Sequence, residues 1–226
     1  MALFVDPLAL QLIVLGVTGV LLFYHSLRAF MRVRSGGRPE HGQIWPLLLF
    51  IGIYAFLTGL WGHLVWPLPG SYNILFYDPY PIFGLLLMVF SLLLKYDSRL
   101  EYAGLASFLF GAVTVYYGYA GYAAGMTKQP SVLLALYALW GLAGMVAYPF
   151  AVLMDRLRFM PADTAEQPQK QPPARASGGI ALAGRGGPLL LLLPGVIFLL
   201  AGLLALYIGA NAVPGHLVNF SKWVPP

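Results

Sequence analysis

The sequence predicts an all-α protein, a polytopic transmembrane helical bundle with six spans. Of its 226 residues, 59% are hydrophobic and only 9% are charged, whereas a soluble domain carries about 25% charged residues. Six apolar stretches are each long enough to cross roughly 30 Å of hydrocarbon. A chain so poor in charge cannot cover a water-soluble particle. This excludes a soluble enzyme, a nucleic-acid-binding domain and a disordered protein.

The predicted spans are joined by short polar loops, with one longer connection. The spans are Leu8–Phe30, Trp45–Trp66, Pro79–Lys95, Tyr102–Gly125, Ser131–Met154 and Pro188–Gly209. The third reaches full length only if the apolar residues 74–77 also enter the membrane. Residues 1–160 are thus expected to form a five-span bundle. Residues 161–187, rich in Pro, Gln, Ala and Gly, form a flexible cytoplasmic linker, and residues 188–226 form the sixth span with an outer interfacial tail.

The distribution of positive charge predicts the orientation. Of the 13 Lys and Arg residues, all but Lys128 and Lys222 follow spans 1, 3 and 5. Because cytoplasmic loops are enriched in Lys and Arg, we expect a multi-pass plasma-membrane protein with both termini outside, that is, extracytoplasmic. The basic pI of about 9.5 then reflects topology. The expected partners are the lipid bilayer and other membrane protein subunits, and no nucleic acid.

Small residues recur along the fourth span at alternating steps of three and four. They are Gly104, Ser107, Gly111, Thr114, Gly118, Gly121 and Gly125. This spacing places them on one helical stripe, and small residues let membrane helices approach closely. The pattern predicts a central, tightly packed helix, whose stripe we assign to packing within the chain in preference to a homo-oligomer.

No motif for phosphate binding, nucleophilic catalysis or a helical zinc site is present, and the chain has no cysteine. We therefore expect no catalytic residue and no cofactor. A polar turn over residues 67–81 is the most informative remaining feature. Asp78 before Pro79 favours a helix N-cap with Pro at N1. The alternative is a re-entrant or interfacial turn in which Asn73 and Asp78 bind a solute.

Histidines offer two further alternatives. His63, Asp78 and His216 all fall on the predicted outer side, and imidazole with carboxylate suits several divalent metal ions. His63 or His25 is a candidate axial ligand of haem, with Met126 or Met154 at matching depth. Against both stands the interpretation that each histidine is interfacial and hydrogen-bonded to water or backbone. Trp140, about ten residues into span 5, lies too deep for an interfacial belt and is expected to fill the core.

A stretch between spans 2 and 5 resembles an uncharacterised prokaryotic family of multi-pass membrane proteins, known as a domain of unknown function. The residues that carry the resemblance are Trp66–Asn73 with Phe76–Asp78, the Tyr- and Gly-rich span 4, and Tyr148-Pro149. It covers about residues 45–158. The resemblance implies several spans and a distinctive outer turn after span 2, and it implies no catalytic residue.

Three functions follow from these observations, in this order. The first is a non-catalytic accessory or scaffold subunit of a larger membrane complex, which fits the missing motifs and the glycine stripe. The second is a small-solute transporter or channel with its site at the outer turn between spans 2 and 3. The third is a haem- or metal-binding redox protein that uses His63 and its neighbours.

Overall fold

The computed structural model describes residues 7–37, 39, 44–159 and 188–220, and in these ranges the chain is helical without strands. The helices are α1 Pro7–Arg34, α2 Trp45–Val65, α3 Ser71–Tyr77, α4 Pro79–Lys95, α5 Glu101–Ala123, α6 Pro130–Phe159 and α7 Leu192–Phe220, the last preceded by a 3₁₀ turn, Pro188–Leu191. Six helical runs are long and apolar enough to span a membrane. The predicted all-α class is therefore confirmed, as is the prediction of six helices long and apolar enough to span a membrane.

Several helix boundaries differ from the sequence prediction: α1 and α6 extend to Arg34 and Phe159, and two other differences are larger. The third candidate span runs from Ser71 to Lys95, because α3 leads directly into α4 and supplies the extra length that the short apolar stretch lacked. Helix α7 continues through the predicted interfacial tail as far as Phe220, with Pro214 inside it. The predicted linker, residues 161–187, lies outside the described residues, as do Asp6 and Lys222.

The helices pack as three antiparallel pairs: α1 with α7, α2 with α4, and α5 with α6. Glycine lies at the closest approach in each pair. A Cβ on Gly111 would lie 2.5 Å from the carbonyl oxygen of Gly141, a Cβ on Gly19 would overlap the carbonyl oxygen of Phe198, and one on Gly84 would overlap the backbone nitrogen of Phe56. The backbones therefore approach to distances that no other residue permits at these positions.

The stripe along α5 faces α6 for most of its length. Gly104, Ser107, Gly111, Gly118 and Gly121 are buried. A Cβ on Gly104 would meet Ala151, and a Cβ on Gly118 would meet Tyr137, both on α6. Gly125 lies beyond the end of α5 at a φ of +62°, with open space where a Cβ would be. Its conformation in the turn, which favours glycine, explains its presence better than packing does.

The bundle has two ends, each with its own hydrophobic cluster. At the Asp78 end, where α1, α4 and α6 begin, Leu12 packs with Leu75 and Leu136. At the opposite end, which we call the Asp155 end, Ala29 packs with Met154 and Leu191. The cluster at the Asp78 end joins α1, α3, α6 and α7. The cluster at the Asp155 end joins α1, α6, the start of α5 and the 3₁₀ turn. The two clusters therefore hold helices of different pairs together.

A buried carboxylate fixes the start of α5 at the Asp155 end. The Asp155 side chain, on α6, accepts hydrogen bonds from the backbone N–H groups of Leu100 at 2.8 Å and Glu101 at 3.0 Å. These donors belong to the first turn of a helix, where the backbone N–H groups have no partner within the helix. Arg158 forms an ion pair with Asp97 in the loop between α4 and α5. The loop is thereby fastened to α6.

Substitution of Gly111 by leucine is expected to destabilise the protein strongly. The new side chain would meet the backbone of Gly141 and Met145, which cannot move aside as a flexible side chain does, so we expect a loss of about 3 kcal/mol or more. Thermal unfolding in detergent measures it. Ala112→Leu, at an exposed neighbouring position of the same helix, is the matched control and should leave the melting temperature near that of the wild type. Equal melting temperatures for both variants would contradict the close packing.

Candidate functional site

The three helix pairs line a partly open cavity of about 230 Å³ between them. Its walls are aliphatic and aromatic for the most part, and every pair contributes to them. The cavity follows α4 from Asp78 to Leu94, a distance of about 24 Å at 1.5 Å per residue. Such a shape is long and narrow, and its wall is apolar apart from a few polar side chains, among them Asp78 at one end and His25 toward the other.

Asp78 lines one end of the cavity. Its Oδ2 accepts a 2.7 Å hydrogen bond from the hydroxyl of Tyr117 on α5, and its Oδ1 lies 3.7 Å from Nδ1 of His63 on α2. The side chains of His63 and Asp78 are 36% and 30% exposed, so this end of the cavity is not sealed. The structure thus brings together His63 and Asp78, two of the residues that the sequence singled out.

The predicted position of Asp78 directly before α4, with Pro79 as the first residue of α4, is confirmed, but the predicted cap is not made by Asp78. Its backbone is helical, with φ −67° and ψ −50°, and its side chain makes no capping hydrogen bond. The physical reason is that α3 precedes it: the Asp78 N–H already donates to the carbonyl of Ile74. The helical backbone is therefore continuous from α3 into α4. The Asp78 carboxylate, which caps no helix, accepts the Tyr117 hydrogen bond and lines the cavity.

Asn73 has a different environment from Asp78. It is fully buried, its Oδ1 accepts a hydrogen bond from the backbone N–H of Leu68, and its Nδ2 donates to the carbonyl of Gly62. Both halves of the amide are thus used by the backbone of the turn between α2 and α3, and Asn73 does not line the cavity. The contacts of this side chain hold the turn in shape.

Three buried polar groups line the cavity without a hydrogen-bond partner at normal distance in the described part of the protein. They are Nε2 of Gln11, on α1, the hydroxyl of Tyr80, on α4, and Nε1 of Trp140, on α6. The Gln11 amide lies near the hydroxyl of Tyr77, which is also buried. The Trp140 ring packs edge-on against Phe83, with 5.4 Å between the ring centroids, and against Phe198, with 6.2 Å. These three aromatic rings thus line the cavity together, and the Trp140 N–H, a donor without an acceptor, belongs to this cluster.

The remaining histidines are not brought to the Asp78 end together with His63. His25 lines the cavity toward the Asp155 end, near Leu22. His216 lies in the last turns of α7, and its side chain is outside the described part of the chain. In the part that the structure describes, no three His, Cys, Asp or Glu side chains are grouped so that they could hold a metal ion.

Sequence reasoning missed Tyr117, Gln11 and the donor role of Trp140. Tyr117 belongs to a run of tyrosines that reads as an interfacial belt, and only the contact between helices singles it out. A signal was available for Gln11, because it is the one side-chain amide in the first apolar span, and polar groups within a span tend to be functional. Trp140 was expected in the core, but its unpartnered N–H is visible only in three dimensions.

Comparison with known proteins gives a single result. The family model described as "Protein of unknown function (DUF981)" matches residues 1–219. The match extends well beyond residues 45–158, to which the sequence resemblance was assigned. No curated protein and no solved structure matches the chain.

Replacing Asn73 by alanine is expected to lower the free energy of unfolding by about 2 kcal/mol, because it removes two hydrogen bonds and leaves the backbone N–H of Leu68 without this acceptor, while the carbonyl of Gly62 keeps the N–H of Trp66. Chemical or thermal unfolding in detergent measures the loss. The control is Thr114→Val, which removes a single hydroxyl bonded to its own helix at Phe110. A loss for Asn73→Ala no greater than that for Thr114→Val would show that Asn73 does not hold the turn.

Proposed function

We propose, from the premise that the chain belongs to the DUF981 family, that it is a membrane protein that binds an elongated, largely apolar molecule in its central cavity. The polar end of the molecule lies beside Asp78, and its apolar body extends toward Leu94. The observation that carries the proposal is the cavity itself, which is shared by all three helix pairs.

The size and lining of the cavity support a chain-like ligand. A water molecule needs about 10–15 Å³ of such volume, so 230 Å³ has room for on the order of fifteen groups of that size. Aliphatic and aromatic walls stabilise an apolar ligand by removing its surface from water. A small polar solute would leave most of these walls without suitable contacts.

The unpartnered donors on the cavity wall support a ligand that also carries a hydrogen-bond acceptor. A buried donor without an acceptor costs about 1–3 kcal/mol, and both Gln11 and Trp140 have such a donor at the cavity wall. An oxygen on the ligand would offset this cost at either position. Since Trp140 lies in the middle of the cavity, one acceptor is expected partway along the apolar body.

The membrane location and orientation belong to the same proposal. We place the protein in the plasma membrane with both termini extracytoplasmic, so that the Asp78 end is the outer one. The described basic residues support this orientation: Arg28, Arg32, Arg34, Lys95, Arg99, Arg156 and Arg158 lie toward the Asp155 end, and Lys128 lies at the other.

The three roles inferred from the sequence stay predictions. An accessory subunit and a transporter would both be served by a bound amphiphile, because the first needs a stable ligand and the second a ligand that exchanges. The haem or metal alternative would use His63, which lies at the edge of the cavity beside Asp78.

Cysteine labelling tests the orientation, and the chain has no native cysteine to interfere. Gln129 and Ser35 are exposed in loops at opposite ends of the bundle. In intact cells, a membrane-impermeant maleimide should label Gln129→Cys and should label Ser35→Cys only after permeabilisation. The reverse pattern would place the Asp78 end in the cytoplasm.

Filling the cavity tests ligand binding. Leu86 lines the cavity, whereas its neighbour Leu85 is 47% exposed on the outside of α4. Leu86→Trp should remove the ligand by occupying its space, and Leu85→Trp should not. Each full-length variant is purified in mild detergent and extracted with organic solvent, and the extract is analysed by mass spectrometry. The expected result is one lipid-like molecule enriched in the wild type and in Leu85→Trp and depleted at least about tenfold in Leu86→Trp.

Trp140→Phe separates ligand binding from folding in the same assay. The substitution keeps an aromatic ring against Phe83 and Phe198 and removes only the unpartnered donor and one ring. We expect an unchanged or slightly higher stability in the ligand-depleted protein and less bound ligand after purification. Identical extracts from the wild type, Leu86→Trp and Trp140→Phe would contradict the proposed function.

A further inference from the structure

Asp78 gives the cavity a net charge at one end. Among the described residues that line the cavity, it is the one Asp, Glu, Lys or Arg. Its Oδ2 is bonded to a neutral hydroxyl, that of Tyr117. Its Oδ1 has the His63 ring 3.7 Å away, which is too far for a direct hydrogen bond. One carboxylate oxygen is therefore left for a ligand.

Aromatic side chains line the same end of the cavity. Phe76, Tyr80 and Tyr117 form part of its wall near Asp78. Aromatic faces attract cations, most strongly where water is excluded. A carboxylate among aromatic rings, at the mouth of an apolar cavity, is suited to a positively charged group attached to an apolar chain. An anionic group at this place would be repelled by Asp78 and would find no Lys or Arg among the described residues of the cavity wall.

We infer that Asp78 selects amphiphiles with a cationic ammonium head, whose apolar tail occupies the cavity as far as Leu94. The inference rests on the proposed function, because it assigns the head group of the molecule that the cavity binds. The ammonium N–H groups donate to the free Oδ1 of Asp78, and the rings of Tyr80 and Tyr117 contact its charge. No covalent step is involved.

Three probes with the same tail and different heads test the inference: dodecylammonium, dodecan-1-ol and dodecanoate. Each is titrated calorimetrically into the purified full chain in a neutral maltoside detergent. The same titration into Leu86→Trp supplies the heat of partition into micelles, which is subtracted. We expect dodecylammonium to bind about tenfold more tightly than dodecan-1-ol, as suits one charge-assisted hydrogen bond, and dodecanoate to bind most weakly.

Asp78→Asn keeps the shape of the side chain and removes its charge. We expect the preference for dodecylammonium to fall from about tenfold to less than about twofold, with the affinity for dodecan-1-ol unchanged. An undiminished preference in Asp78→Asn would overturn the inference. So would equal or tighter binding of either other probe to the wild type, a result that needs no variant to fold. Failure of all three probes to show heat sensitive to Leu86→Trp would instead overturn the proposed function.

Discussion

Close backbone contact between helices is the constraint on which the rest of this structure depends. Within a bilayer, apolar side chains gain little by leaving lipid for protein, so helices associate through tight packing and hydrogen bonds. Here each of the three helix pairs places glycine at its closest point: Gly19 and Gly202, Gly52 and Gly84, and Gly111 with Gly141. The pairs are thereby well defined, and the contacts between different pairs are less extensive.

The cavity is a consequence of this arrangement. The small residues lie at the contacts within pairs. The helix faces that meet in the centre carry large side chains such as Phe83, Trp140 and Phe198. Large rings at three helices cannot interdigitate as closely as glycines do, and they leave space between them. The close contacts within the helix pairs and the cavity between the pairs therefore have the same origin, which is where the small and the large residues lie on each helix.

Much of the fold was predictable from the sequence, because the six spans and the stripe on α5 depend on periodicity along one helix. Which helix packs against which could not be predicted from the sequence. Glycine spacing is visible in α2, at Gly52 and Gly59, but it does not tell which helix it meets. The same limit applies to the site: His63 and Asp78 were singled out, yet their proximity, the Tyr117 hydroxyl and the N–H of Trp140 depend on contacts between helices. Pro79 predicted a helix start and is the first residue of α4, but α3 leads directly into α4, so the Asp78 side chain does not cap it.

The polar groups of the cavity bear on why the protein retains it. A cavity that merely results from imperfect packing does not require polar donors at positions 11 and 140, because buried donors without acceptors cost free energy. The carboxylate of Asp78 adds to this cost, since a partly buried charge loses hydration. Neither the glycine contacts nor the hydrogen bonds of Asp155 to the start of α5 require Gln11, Asp78 or Trp140. Their positions around one elongated cavity, on three different parts of the fold, support the proposal of a bound molecule.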